Sequence, residues 1–189
     1  TMPDNERLIR ALKAVFNVSE VKLPYTVLKK MTSVFRASDF KVQCVIRRSN
    51  KKGHKIEVLD VIPEGIDCIA CGLAVDIGTT SVAALLVDLV SGEIMAKAST
   101  GNGQIRYGAD VINRIIEQQK TGGRKKLQDA IIEETLNPLI HEMCRSAKIS
   151  AEQIYRVSIA GNTTMNHLFV GADADPVRME PFIPAFFET

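Results

Sequence analysis

Apolar residues recur at helical spacing near the start of the chain and predict two amphipathic helices. The first runs from Asp4 to Phe16, with Asp4 as its cap, and the second begins with Pro24 in its first turn. Their apolar stripes consist of Leu8, Ile9, Leu12, Val15 and Phe16, and of Val27, Leu28, Met31, Val34 and Phe35. Both stripes are expected to face a hydrophobic core.

A β-hairpin is predicted next, because apolar and polar residues alternate on both sides of a turn at Asn50 to Gly53. The strands, residues 39–48 and 54–62, place the following side chains on one face: Phe40, Val42, Cys44, Ile46, Ile56, Val58 and Val61. Two helices on a hairpin form a small α+β domain. Pro63-Glu64-Gly65 breaks the pattern, so we predict one domain over residues 1–66 and a second over residues 73–189.

The second domain is predicted to contain three strands followed by helices. Its segments are a hairpin over residues 73–88 that turns at Gly78, a strand over 93–98, helices over 108–119 and 124–147, a buried strand over 155–160, and a helix over 163–170. Pro138 is expected to kink the longest helix. Ser150 to Gln153 has the form of a capping box at a short turn.

The turn of the hairpin carries a chemically suggestive motif, Asp76-Ile77-Gly78-Thr79-Thr80. Gly78 is expected to supply the positive φ of a sharp turn, and successive backbone N–H groups at such a turn can cradle an anion. Thr79 and Thr80 add hydroxyl groups, and the Asp76 carboxylate suits a phosphate-bound Mg²⁺, directly or through water. An ordinary hairpin with a satisfied turn is the alternative. The flanking strands favour a site for nucleotide phosphate.

A second candidate site lies at Gly161-Asn162-Thr163-Thr164, where a strand meets the start of a helix. Free N–H groups and the helix dipole attract phosphate or a polarised water at such a position. A plain N-cap by Asn162 or Thr163 is the alternative. His167 lies close to this motif. Upstream, Asp110 and Arg114 are four residues apart, and a pair on one helix face is favoured over a role at a nucleotide.

Three segments together resemble a known family. The hairpin resembles the first phosphate motif of the actin-like ATPase superfamily, which includes actin, chaperone ATPases and sugar kinases. A closer resemblance, to the reductive activators of corrinoid proteins, rests on Ala74-Val75-Asp76-Ile77-Gly78-Thr79-Thr80, Tyr107-Gly108-Ala109-Asp110-Val111-Ile112-Asn113-Arg114-Ile115 and Ala160-Gly161-Asn162-Thr163-Thr164-Met165-Asn166-His167-Leu168. In that family a 2Fe–2S ferredoxin domain, a linker and a middle domain precede the ATPase domain. Residues 2–64 resemble the middle domain.

The resemblance implies a small α+β domain followed by the N-terminal half of a ribonuclease-H-like, actin-like ATPase domain with a mixed sheet. It implies ATP and Mg²⁺ as ligands of the full-length protein, with Asp76 as the catalytic carboxylate that binds Mg²⁺ through water. The implied nucleotide-binding residues are Gly78, Thr79, Thr80, Gly161, Asn162 and Thr163. ATP would support reduction of a Co(II) corrinoid to Co(I), with the electron coming from a 2Fe–2S cluster upstream of this chain. The implied partner is the corrinoid protein of a methyltransferase system.

Two other functions stay open, a small-molecule kinase of the same superfamily and a non-catalytic docking module over residues 1–70. Sugar kinases of the superfamily use an Asp near this strand end as a base, whereas this chain has Asn162, which cannot take a proton at neutral pH. No second Asp-x-Gly-Thr/Gly hairpin occurs, so we expect a fragment that holds half a nucleotide site and is inactive alone. The apolar segment Pro181-Phe182-Ile183-Pro184 is expected to lack a packing partner.

Charge and hydropathy exclude several classes of protein. The net charge is +2, and the basic cluster of Arg47, Arg48, Lys51, Lys52 and Lys55 has no interleaved aromatic residues, so no nucleic-acid partner is expected. Neither a secretory signal nor a membrane helix is apparent, which favours a cytoplasmic protein without a membrane partner.

The four cysteines, Cys44, Cys68, Cys71 and Cys144, do not form a metal-binding pattern. Cys68 and Cys71 make one Cys-x-x-Cys, but zinc or a cluster needs further ligands at compatible spacing. We expect no cluster within this chain and interpret these cysteines as small residues near a domain junction. A homodimer that shares a site through this pair stays open.

Overall fold

The computed structural model describes residues 2–49 and 54–186, and its chain divides into two compact units, Thr1–Cys68 and Ile69–Thr189. The turn predicted at Asn50 to Gly53, with Lys51 and Lys52, lies outside the described residues. Across the described ranges, no helix is long and apolar enough to cross a membrane.

The first unit packs two helices with a three-stranded sheet. Its elements are α1 (Asp4–Phe16), β1 (Glu20–Lys22), α2 (Tyr25–Ala37), β2 (Val42–Arg48) and β3 (Lys55–Pro63). The strand order is β1-β3-β2, with β1 parallel and β2 antiparallel to β3. The buried core consists of Leu8, Leu12, Val21, Val27, Met31, Phe35, Ile56, Val58 and Val61. The predicted helices and hairpin strands are confirmed, and the prediction missed β1.

Several details of this unit differ from the sequence predictions. Asp4 is the first residue of α1 rather than its cap, and its carboxylate accepts a 2.7 Å hydrogen bond from Arg36. Val15 is 74% exposed, whereas Phe16 of the same stripe is partly buried against the core. Phe40 precedes β2 in a left-handed conformation with φ of 61°, so it is not on the predicted strand face.

The described part of the basic cluster is largely neutralised within the first unit. Arg47 pairs with Glu57, and Lys55 pairs with Glu20. Lys22 and Arg47 hold the pKa of Glu57 below its usual range, with the hydrogen bond from Lys22 as the largest cause. A solvated, paired surface is the simpler interpretation of this cluster.

The second unit is a four-stranded mixed sheet with helices. Its strands are β4 (Cys71–Ile77), β5 (Ser81–Asp88), β6 (Ile94–Gly101) and β7 (Ile154–Gly161), in the order β6-β5-β4-β7. Strands β4, β5 and β6 are antiparallel neighbours, whereas β7 lies parallel to β4. A parallel neighbour requires a long crossover. The helical segment between β6 and β7 provides it.

That crossover contains more elements than predicted. Its helices are α3 (Val111–Gln118), α4 (Gly123–Ile131) and α5 (Asn137–Ala147), and 3₁₀ turns cover Gly103–Tyr107 and Ala151–Gln153. The helix predicted over 124–147 contains a π-helical turn at Ile132–Leu136, and Pro138 lies in the first turn of α5, directly after it. The capping box at Ser150 is confirmed.

After β7, the chain forms α6 (Thr163–Val170), which matches its predicted bounds, and the short α7 (Asp175–Arg178). The strand predicted over residues 155–160 is confirmed as β7, but the prediction that it is buried is wrong, since Val157 is 53% exposed. In the described chain β7 has one neighbouring strand, so it is an edge of the sheet. The core of this unit lies between the helices and the face of the sheet on which the side chains of β4 and β5 are buried. It includes Leu73, Val75, Ile77, Val82, Ala84, Leu86, Ile115, Leu127, Ile131, Leu139, Met143, Met165 and Leu168.

Candidate phosphate-binding site

The two motifs predicted to bind phosphate meet at one edge of the second sheet. Strands β4 and β7 are parallel and in register from Leu73 opposite Val157 to Ile77 opposite Gly161, so their carboxyl ends lie side by side. The Asn162 side-chain amide donates a 3.1 Å hydrogen bond to the Thr79 hydroxyl oxygen. Residues 83 positions apart in the chain are thereby joined at one site.

Gly78 is required for a reason different from the one predicted. Its φ is not in the left-handed range. Instead, its N–H donates a 2.9 Å hydrogen bond to the Ser81 carbonyl oxygen, and a Cβ added at Gly78 would lie 2.6 Å from that oxygen. Close approach of two backbone segments, rather than a positive φ, therefore excludes a side chain here.

Three successive carbonyl groups of the turn are bound from the interior. The Gly78 carbonyl accepts from the Asn102 side chain at 2.8 Å, the Thr79 carbonyl accepts from Arg114 Nη2 at 2.5 Å, and the Thr80 carbonyl accepts from the Asn102 backbone N–H at 2.9 Å. In a trans peptide the N–H points away from the carbonyl of the same unit. The N–H groups of Thr79 and Thr80 therefore point away from these two buried residues. Within the described residues, neither of these two N–H groups donates to a protein acceptor.

Asp76 lies one residue before the end of β4, on the face of the sheet opposite the core. Its side chain is exposed and stands between Ala83 of β5 and Ala160 of β7. These small neighbours leave a concavity of about 700 Å³, which is also lined by Ala74 and Lys97. Among the described residues, Asp76 forms no ion pair. The carboxylate is accessible to a hydrated cation at the turn.

The Gly161-Asn162-Thr163 motif is both a cap and part of the site. The Asn162 side-chain oxygen accepts a 2.9 Å bond from Met165 N and so caps α6, while its amide reaches Thr79. A Cβ at Gly161 would lie 2.9 Å from the Ile77 carbonyl oxygen, so glycine permits the close approach of β7 to β4. The Thr163 side chain is exposed at the start of α6.

Asp110 and Arg114 do not form the predicted pair. Asp110 caps α3, accepting bonds from the backbone and side-chain nitrogens of Asn113 at 2.8 and 2.9 Å. Arg114 is fully buried and extends to the turn at Thr79. The sequence analysis did not identify Asn102, which binds the Gly78 carbonyl. For Arg114, which binds the Thr79 carbonyl, the only signal was its place in a segment that resembles the corrinoid activators.

His167 is sequestered next to the motif. Its Nδ1 lies 2.7 Å from the Thr163 carbonyl oxygen, and its Nε2 accepts a 2.9 Å bond from the Ala185 N–H. The ring stacks on Phe186 at a centroid distance of 4.5 Å. The chain just after Pro184 thus has a packing partner, whereas Phe182 and Ile183 remain exposed.

The four cysteines differ in burial. Cys71 is buried at the start of β4, with its sulfur 3.6 Å from that of Met95, and Cys144 is buried in α5. Cys68 and Cys44 are half-buried. Over residues 2–49 and 54–186, no three of the His, Cys, Asp and Glu side chains are grouped as metal ligands would be.

Cys44 should react slowly with iodoacetamide in the native protein. Burial, with the Asp60 carboxylate as a second cause, raises the pKa of the Cys44 thiol to about 11. Because the thiolate is the nucleophile, labelling at pH 8 should be slower than in urea-unfolded protein by on the order of tenfold, and should accelerate as the pH approaches that pKa. Peptide mass spectrometry after timed quenching measures this rate. Equal native and unfolded rates for Cys44 would contradict the assignment.

Comparison with known proteins identifies the family. A family model described as the RACo middle region matches residues 71–189, and a second, described as the RACo linker region, matches residues 1–65. The chain belongs to the RACo family. The domain names differ from those used in the sequence analysis. Residues 1–65, which the resemblance assigned to a middle domain, match the RACo linker region, and residues 71–189, which were expected to begin the ATPase domain, match the RACo middle region. The gap between the two matches contains the division between the compact units.

Two relatives support the assignment to the RACo family. The corrinoid activation enzyme RamQ of Eubacterium limosum is 34% identical over 161 residues, which is 84% of this chain and 26% of RamQ. A solved structure of a reductive activator for corrinoid, iron-sulfur protein has a TM-score of 0.79 at 33% identity, with coverage of 97% of this chain and 29% of that protein. The resemblance to reductive activators of corrinoid proteins is confirmed. The chain spans less than a third of the length of either relative.

Proposed function

We propose that residues 73–189 form the N-terminal half of an actin-like, ribonuclease-H-like ATPase domain, and that the turn at Gly78-Thr79-Thr80 binds the phosphates of Mg·ATP. One observation carries the proposal: the turn carbonyls are all bonded to the interior, so two free N–H groups point away from it. Such N–H groups form a concave donor set for an anion. The chain order, a β-hairpin, a third strand, helices and a parallel strand, fits the first half of such a domain.

The residues at the turn fit a phosphate with its metal ion. The missing side chain at Gly78 permits the close approach of Ser81 that shapes the turn, and the Thr79 hydroxyl is held at 3.1 Å from the Asn162 amide. We assign Asp76 to Mg²⁺, through water, because an exposed carboxylate near phosphate is the usual protein ligand of that ion. We assign three further residues to the edge of the same phosphate site: Thr80, Gly161 and Thr163. When bound, Mg·ATP supplies the free energy of its binding and hydrolysis.

The whole protein, by this proposal, uses ATP to support one-electron reduction of a Co(II) corrinoid to Co(I). Both relatives carry corrinoid activation in their names, and the match to the solved activator covers nearly all of this chain. The electron comes from a 2Fe–2S cluster outside these residues, and the acceptor is the corrinoid protein of a methyltransferase system. Residues 73–189 contribute half of the nucleotide site and none of the cluster ligands.

A sugar-kinase function has less support. A kinase of that type needs a base for the substrate hydroxyl at the end of β7, and the residue there is Asn162. Its side-chain oxygen is bound to Met165 N as a helix cap, and its amide is bound to Thr79. Both ends of the amide therefore serve structure rather than proton transfer.

The full-length protein should reduce its corrinoid partner only when ATP is present. With a chemical reductant and Mg·ATP, the electron paramagnetic resonance signal of the Co(II) corrinoid should disappear and the Co(I) absorption band should appear. Residues 1–189 alone are the matched control, which should bind Mg·ATP weakly or not at all because half of the ligand contacts are missing. Reduction at the same extent and rate without ATP would contradict the proposal.

A further inference from the structure

Arg114 carries a buried positive charge whose partners are neutral. The side chain is fully buried on α3. Its Nε donates to the Gly108 carbonyl at 2.8 Å and its Nη2 to the Thr79 carbonyl at 2.5 Å, while Nη1 lies 3.3 Å from the Met165 sulfur and 3.4 Å from the Gln104 side-chain oxygen. Over the described ranges of the chain, no carboxylate forms an ion pair with it.

The nearest candidate counter-ion on the same helix is otherwise engaged. Asp110 binds Asn113 with both carboxylate oxygens, so it acts on Arg114 only at a distance. Burial lowers the pKa of Arg114, and Asp110 offsets this in part. A buried charge that lacks a charged partner is costly. An apolar side chain of similar size would avoid that cost, so packing alone does not explain an arginine here.

The location of the charge indicates its use. The guanidinium contacts all three segments that resemble the corrinoid activators: Thr79 in the hairpin, Gly108 before α3, and Met165 in α6. It lies behind the turn, bonded to the carbonyl whose peptide directs the Thr80 N–H outward. A positive charge in a poorly solvated position acts over several ångströms on an anion at the turn.

We propose that Arg114 is a positioning residue of the phosphate site. It holds the Thr79 carbonyl inward, which directs the Thr80 N–H toward the ligand, and it leaves an uncompensated positive charge behind the turn that favours the phosphate anion. Asn102 does the same for the two neighbouring carbonyls without a charge. The inference rests on the proposed nucleotide site and adds a residue outside the predicted site set.

The test is Arg114→Met in the full-length protein, with the dissociation constant of Mg·ATP measured by isothermal titration calorimetry. Affinity should fall about tenfold, which is about 1.4 kcal/mol. The thermal midpoint of the ligand-free protein should change little, because removal of a buried unpaired charge offsets the cost of leaving the Gly108 and Thr79 carbonyls without their donor. A residue that only supports the fold would give a clearly lower midpoint with unchanged affinity.

Gln118→Met is the matched control on the same helix. Gln118 is buried and binds the Ala172 carbonyl and the Ala174 N–H, away from the turn. Its replacement should lower the thermal midpoint and leave Mg·ATP affinity at the wild-type value. A loss of affinity equal to that of Arg114→Met would show that any damage to α3 weakens the site, and would overturn the inference.

Arg114→Lys decides the question if the methionine variant does not fold. Lysine keeps the charge but cannot bind the Gly108 and Thr79 carbonyls with one rigid fork. Affinity should fall by a few-fold, on the order of threefold to tenfold, and wild-type affinity in a folded lysine variant would refute the positioning role. Wild-type protein that binds no Mg·ATP would instead refute the proposed function itself, so the two failures are distinguishable.

Discussion

Asp76→Asn in the full-length protein should reduce ATP turnover by about 100-fold. The change replaces a charged Mg²⁺ ligand with a neutral amide at the turn where phosphate and metal are proposed to meet. Folding should be intact, since the side chain is exposed and lacks an ion pair among the described residues, and such surface changes stay within about 0.5 kcal/mol. Phosphate release at saturating Mg·ATP measures the effect. Turnover within about twofold of wild type would remove Asp76 from the site.

Asp88→Asn is the matched control for that experiment. Asp88 is the last residue of β5, at the opposite end of the same hairpin, and pairs across the sheet with Cys71. Its carboxylate accepts bonds from Val90 N at 2.8 Å and the Ser91 hydroxyl at 3.0 Å, and these bonds keep its pKa below the usual value. Removing this charge should leave ATP turnover unchanged. Equal losses in both variants would indicate a general effect of hairpin charge.

Gly78→Ala should impair both stability and nucleotide binding. The added methyl group would meet the Ser81 carbonyl oxygen at 2.6 Å, and that oxygen belongs to backbone held in the sheet. Overpacking of this kind costs about 1–3 kcal/mol. The turn must open to relieve it, which displaces the Thr79 and Thr80 N–H groups. Urea unfolding should show the loss of stability, and calorimetry should show Mg·ATP affinity at least about tenfold weaker.

Gly101→Ala separates a steric cause from a general cost of replacing glycine in this sheet. Gly101 pairs with Ser81 across β5 and β6, yet a Cβ there would have no heavy atom within 4 Å. Its stability should stay within about 0.5 kcal/mol of wild type. If Gly78→Ala matched this control in both stability and affinity, the close approach to Ser81 would not be what requires glycine.

Sequence periodicity was informative where an element is long and has one buried face. The helix over Asp4–Phe16, the hairpin strands and α6 were predicted closely, because each repeats its apolar pattern over several residues. Strand β1 has three residues with Val21 as its buried member, which is too short for a period to be visible. The exposure of β7 was not predictable from its apolar residues, because a strand at an edge and a strand in the middle of a sheet can have the same composition.

The residues of the candidate site could be predicted from the sequence, but the buried residues that hold its turn in place could not. The Asp-x-Gly-Thr-Thr and Gly-Asn-Thr motifs identify themselves locally, and parallel pairing of β4 and β7 explains why they meet. Asn102 and Arg114 come from a strand end and a helix, and their bonds to the turn depend on tertiary packing. An i, i+4 spacing suggested a salt bridge between Asp110 and Arg114, but the capping bonds of Asp110 and the long reach of arginine gave another outcome.

The π-helical turn at Ile132–Leu136 affects which side chains of α4 and α5 are buried. Five residues spaced four apart are all buried: Leu127, Ile131, Thr135, Leu139 and Met143. In a continuous α-helix each such step advances about 40° around the axis, so the series would rotate by about 160° from first to last. The wider π turn offsets part of this rotation. The π turn thus helps to keep these five side chains on the buried side of the crossover, and Thr135 among them binds Gly103 N, next to the asparagine that holds the turn.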